Sequence, residues 1–98
     1  MAYRFITELW VHEGENPWYF VTLPPDQSDE IEALSAPSRR GFGSVRVHVT
    51  IGASTWSTSL FPDSRAGAYV LPIKQKVRLG ERLQVGESVA VSLRLAGE

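Results

Sequence analysis

Apolar and polar residues alternate with a period of two along most of this chain, starting at its third residue. From residue 3 onward, Tyr3, Phe5, Leu9 and Val11 fall on one face and Arg4, Glu8 and His12 on the other, which predicts a half-buried β-strand. "HEGENP" supplies a turn. "WYFVTL", residues 18–23, is aromatic and β-branched; Pro24-Pro25 ends it, because proline cannot donate to a ladder. These two segments are expected to pair as a hairpin. In "DQSDEIEAL" the early acids and the spacing of Ile31 and Leu34 predict one short helix capped by Ser28 or Asp29. "SAPSRRGFG" reads as a loop. "SVRVHVTI" then places Val45, Val47, Val49 and Ile51 inward, and Gly52-Ala53 turns the chain into the strand "STWSTSLF". After the loop "PDSRAGA" come a strand, "YVLPI", and a helical turn or loop, "KQKVRLGERL". A last strand, "ESVAVSLRL", buries Val89, Val91, Leu93 and Leu95.

The pattern therefore gives roughly six or seven strands and one or two short helices. It also repeats. Val21-Thr22-Leu23-Pro24 matches Tyr69-Val70-Leu71-Pro72 at an offset of 48, and Gly43-Ser44-Val45 matches Gly86-Glu87-Ser88-Val89 at about 43. Each half reads strand, Leu-Pro stop, helical connection, glycine corner, alternating strand. Two such units related by a pseudo-two-fold axis can close one barrel and cover each other's edges. The expected architecture is mainly β: a single domain over 1–98, a double-split barrel with halves near 3–52 and 54–95. Its expected core includes Phe5, Leu9, Phe20, Val45, Val47, Val49, Leu71, Val89, Val91 and Leu93.

Composition narrows the function classes. At 98 residues, 43% hydrophobic and 21% charged, the chain has the make-up of one ordinary globular domain. The absence of cysteine excludes disulfides, thiolate nucleophiles and cysteine-ligated metals. No basic leader followed by an apolar run opens the sequence, and no apolar run has membrane-spanning length, so the reading is a soluble, cytoplasmic monomer or small homo-oligomer. The net charge of −1 conceals a segregation. Seven acids and no lysine or arginine lie between Glu8 and Glu32, whereas Arg65 to Arg82 holds five bases and one acid.

The candidate chemistry follows from that segregation and from the aromatics. Lys74, Lys76 and Arg78 form a basic cluster able to meet an anion, and Arg39 and Arg40 precede Gly41-Phe42-Gly43, an aromatic-bearing basic loop. Each also reads as solvated surface, with Phe42 as a core plug. Trp10, Trp18 and Trp56, with Tyr19 and Tyr69, are able to line an apolar pocket at a barrel mouth, or simply to pack the core. Ser57, Thr58 and Ser59 have no nucleophile elbow around them, and His12 and His48 lack the spacing of a metal site. No catalytic residue, metal ligand or cofactor is assigned.

The order "WYFVTLP", "SDEI", "GFGSVRVHVTIG", "WSTSLFP", "YVLPIKQKVR" and "GESVAVSL" resembles the domain of unknown function 1905 family, small bacterial and archaeal proteins. That resemblance runs from about Phe5 to Leu93 and implies a double-split β-barrel. Val70 to Leu93 also resembles the half-barrel of AbrB- and MazE-like DNA-binding proteins, although the first half carries acidic "PDQSDEI" where those proteins tend to be basic. The leading expectation is a non-catalytic binding or interaction module with a protein or small ligand as partner. The alternative is an AbrB-like nucleic-acid-binding regulator, and the third reading an enzyme assembled from distant strands. Duplex DNA is expected to bind weakly, at about 10⁻⁴ M or poorer, because only one of the two connections is basic.

Overall fold

The computed structural model describes residues 2–36 and 43–97. Within them lie strands β1 (Ala2–Glu8), β2 (Trp10–His12) and β3 (Trp18–Thr22), helix α1 (Pro25–Ser35) and strands β4 (Val45–Ile51), β5 (Ser54–Asp63) and β6 (Ala68–Pro72). Helix α2 (Gln75–Gly80) and strand β7 (Ser88–Leu95) complete the order. The strands form one antiparallel sheet in the order β1-β7-β4-β5-β6-β3-β2. Its two end members are consecutive in sequence, separated only by Leu9. Leu9 donates its N–H to the Glu87 carbonyl at 3.0 Å and accepts from Gly86 N at 2.8 Å, so the sheet curls into a barrel-like fold.

The predicted two-fold relation is present in the register. Thr22 pairs with Val70, and these residues are also equivalent to each other at the repeat offset of 48. Across the barrel Val49 pairs with Leu93, an offset of 44 that also superposes Val45 on Val89, Val47 on Val91 and Ile51 on Leu95. The pseudo-dyad therefore passes through both pairs. The strand offset is one more than the 43 read from the glycines, because the second corner carries an extra residue before its strand. The remaining strands obey the same axis: β1 and β2 map together onto β5 at an offset of 53, which makes Thr7 equivalent to Leu60 and Trp10 equivalent to Asp63. Both are long strands that leave one neighbour and join another midway.

The inward faces meet in a single core. Leu9, Val21, Leu23, Ile31, Leu60, Leu71 and the valines of β4 and β7 are buried, with Tyr19, Trp56 and Leu83 packed against them. Burying such aliphatic side chains contributes about 1.5–3 kcal/mol each relative to exposure. Nine of the ten expected core residues are there; Phe20 is not. It sits half-buried on the opposite side of β3, since Val21 and Leu23 face inward and a strand alternates.

Helix α1 also differs from expectation. It starts at Pro25, its N-cap is Pro24, and neither Ser28 nor Asp29 caps it. Proline fits the first helical turn because that N–H has no partner within the helix. Ser28 lies one turn in, buried, and its hydroxyl accepts the Tyr69 N–H at 3.0 Å. Gln27 Nε2 donates to the Arg4 carbonyl at 3.1 Å and Tyr3 Oη to Glu30 Oε1 at 3.1 Å, so α1 lies over the β1 edge. Leu34, expected beside Ile31, is exposed. Helix α2 closes the equivalent region of the other half, where the Ser54 hydroxyl donates to Glu81 Oε2 at 2.7 Å. That carboxylate lies over Gly52 in the two-residue β4–β5 turn, whose φ of +57° favours glycine.

Candidate binding groove

Because β3 ends at Leu23-Pro24 with leucine inward, Trp18, Phe20 and Thr22 must project outward. Register places Trp10 opposite Phe20 and His12 opposite Trp18 on the same outer surface. On the other side of the pseudo-dyad, β5 and β6 bring Phe61 opposite Val70 and Asp63 opposite Ala68. The result is a groove of about 950 Å³ on the outer face of the sheet, centred on the Thr22–Val70 pair.

Its floor is aromatic and ordered. The Trp10 and Phe20 rings lie 5.0 Å apart at 32°, and Trp18 stacks near-parallel on Phe20 at 6.2 Å and 15°. The Trp10 indole N–H donates to Thr22 Oγ1 at 2.8 Å, fixing that ring while satisfying its only donor. Beneath the rings Val70 is 5% exposed, although it points away from the core. Trp18 at 57% and Phe61 at 41% remain open to solvent. Large aromatic surface left exposed on a small protein, with polar groups around it, marks interaction sites. The polar groups come from the turn after β5: Asp63 Oδ1 accepts the Arg65 N–H at 3.0 Å, and the Asp63 carbonyl accepts from Gly67 N at 2.9 Å. A second depression of about 420 Å³ adjoins the first, sharing Pro62, Asp63 and Ser64 with it and continuing to Asp29 and Glu32 of α1.

The other candidate residues are dispersed. Trp56 is half-buried against the core and does not line the groove. Lys74 and Lys76 are exposed at the start of α2. Arg78 faces inward: its guanidinium carbon lies 3.6 Å from the centre of the Tyr19 ring, and its Nε donates to the Ile73 carbonyl at 3.2 Å. It thereby bonds the helix to the hairpin. Arg39, Arg40 and Phe42 lie outside the described residues. Tyr69 is buried in the core, and Tyr19 packs against it under Arg78. Of the five aromatics considered for a pocket, Trp10 and Trp18 form one, with Phe20 and Phe61 completing it. The alternation of Trp18, Phe20 and Thr22 carried that signal. Reading it required the facing of Leu23 to set the parity of an otherwise wholly apolar run.

Among the described residues no group of three or more His, Asp or Glu side chains is placed to hold a metal ion, and no helix is long and apolar enough to cross a membrane. Residues 5–93 match the protein family DUF1905, described as a domain of unknown function. No curated protein matches the chain.

Proposed function

The chain belongs to the DUF1905 family, and we propose that it acts as a non-catalytic binding module whose ligand site is the aromatic groove on the pseudo-dyad. The observation that carries this reading is the exposed, ordered ring series Trp18–Phe20–Trp10 with Phe61 across from it. A ring held at 57% exposure forgoes most of its own burial in the free protein, and an apolar group laid on it recovers that area, at about 25 cal/mol per Å². The site is prebuilt: the rings sit on two hydrogen-bonded strands, and the Thr22 hydroxyl locks the innermost one. Nothing has to fold for binding to occur. An AbrB-like use of the basic segment finds less support, because Arg78 is engaged with Tyr19 and Ile73 and only Lys74 and Lys76 extend from that segment's start.

The test uses a neutral apolar fluorophore, N-phenylnaphthylamine. The wild-type chain should enhance its emission, and the Trp18→Ala/Phe61→Ala variant should lose the enhancement while still unfolding in one cooperative urea transition, since both side chains lie outside the buried core. Enhancement that survives in this variant would remove the groove from consideration.

A further inference from the structure

The groove's charge surroundings say what kind of ligand it suits. Its aromatic wall, β2 and β3, belongs to the stretch from Glu8 to Glu32 that carries seven acids and no lysine or arginine. On the opposite side the aromatic floor runs past Asp63 directly into the second depression, lined by Asp29 and Glu32. Among the described residues, Arg65 is the one lysine or arginine lining either depression. Against Asp29 and Asp63 it leaves a net charge of −1 among these described residues. Aromatic faces add to this field, because their quadrupoles present negative charge to anything lying over them. An anion entering here would meet repulsion from both the carboxylates and the ring faces, whereas a cation would be attracted by both.

We propose, building on the groove reading, that its ligand is a cationic segment of a partner protein. An apolar side chain sits on the Trp10–Phe20–Phe61 floor, and a neighbouring lysine or arginine reaches the carboxylates of Asp63 and Asp29. The form of the site selects a polypeptide over a compact small molecule. Two open depressions of different character, apolar then acidic, lie end to end and share Pro62, Asp63 and Ser64 as their boundary. Successive side chains of an extended segment satisfy such a sequence of environments in order. The same carboxylates reject nucleic acid, whose bases would suit the rings but whose phosphates would not suit Asp63.

Three acetylated, amidated heptapeptides distinguish the possibilities, each with a central Leu-Phe flanked by lysine, serine or glutamate. Binding is read from the indole N–H resonances of Trp10 and Trp18 in the 98-residue chain. The lysine peptide should move both resonances and bind at least about tenfold more tightly than the glutamate peptide, with serine between them. Asp29→Asn/Asp63→Asn should weaken the lysine peptide about three- to tenfold, as expected for two exposed ion pairs, and leave the serine peptide unchanged. The asparagine at 63 keeps an acceptor for the Arg65 N–H.

Equal binding of all three peptides, lost in Trp18→Ala, would overturn the cationic assignment while leaving the groove as the site. Absence of peptide shifts together with retained fluorophore binding would overturn the polypeptide ligand alone, and loss of both would overturn the groove itself. Movement of the same indoles by an octathymidylate, or by raising the concentration of the chain without peptide, would replace the proposed partner by nucleic acid or by a second copy.

Discussion

Where β3 leaves the pseudo-dyad it carries Phe20 and Trp18 on its outer face; where β6 leaves it, the equivalent positions are Ala68 and Ala66. Likewise Trp10 corresponds to Asp63, and His12 to Arg65. Inside the barrel the same offsets relate Leu23 to Leu71, Val47 to Val91 and Val49 to Leu93, one aliphatic residue to another. The two halves thus share an interior and differ outside. The groove exists because of that difference: large rings on one side of the axis, small residues and one acid–base pair on the other. Two aromatic halves would have filled the depression, and two alanine halves would have left no floor. The turn lengths reinforce the contrast. The first hairpin is five residues longer than the second, the difference between offsets 53 and 48, and the extra length carries Glu13 and Glu15 beyond the exposed Trp18.

The shared interior is open to the severest test. Leu23→Ala and Leu71→Ala remove equivalent, fully buried side chains, and each should cost about 2–5 kcal/mol by urea denaturation. Equal packing about the axis requires the two costs to agree within about 1 kcal/mol. A large inequality would mean that the two halves are packed unequally about the axis, one site collapsing around its cavity better than the other.

The helical connections should separate more sharply. Arg78→Ala removes a cation–ring contact and a hydrogen bond to the Ile73 carbonyl, both partly shielded from solvent, and should cost about 1–2 kcal/mol in the same melts. Lys74→Ala and Lys76→Ala, on the exposed side of α2, should stay within about 0.5 kcal/mol of wild type. Equal effects at all three positions would mean that the basic segment acts as one solvated face, without the division that the Tyr19 ring imposes.

The interior was legible in the sequence because period-two alternation is explicit in "VRVHVTI" and "SVAVSLRL", and because the repeated Leu-Pro marks equivalent strand ends. The groove was only half legible. "WYFVT" has no polar position until its end, so periodicity cannot say which face is buried, and hydrophobicity alone points Phe20 to the core. Its burial depends on Leu23 and on the β3–β6 register, which is a long-range pairing. The role of Ser28 was hidden for a related reason. A serine near a helix start suggests a cap, and only the approach of Tyr69 from 41 residues away turns it into a buried acceptor. Arg78 looked like its neighbours Lys74 and Lys76 until the fold set it over Tyr19.

The smallest expected effect concerns the exit from α2. The second connection is four residues shorter than the first, the difference between offsets 48 and 44, and it must bring the chain from the helix to the β7 corner over that reduced length. It does so through a left-handed residue. Arg82 has φ +56°, and the Leu83 N–H returns to the Arg78 carbonyl at 2.9 Å, the arrangement in which glycine usually follows a helix. The longer first connection leaves α1 through Ala36 in right-handed geometry, φ −48°. Arginine at a left-handed position costs about 1 kcal/mol, and Arg82 is exposed. Arg82→Gly relieves that strain, while the greater freedom of glycine in the unfolded chain cancels part of the gain. The net should be a stabilisation of about 0.5 kcal/mol. Gly86→Ala, at φ +90° with open space around the added Cβ, should act in the opposite direction by about 1 kcal/mol through the backbone alone. Thermal and urea melts of the two variants check both signs. Destabilisation by Arg82→Gly would mean that the arginine side chain supplies contacts worth more than the strain it imposes, so that the backbone penalty of the shorter connection is more than offset by its side chain.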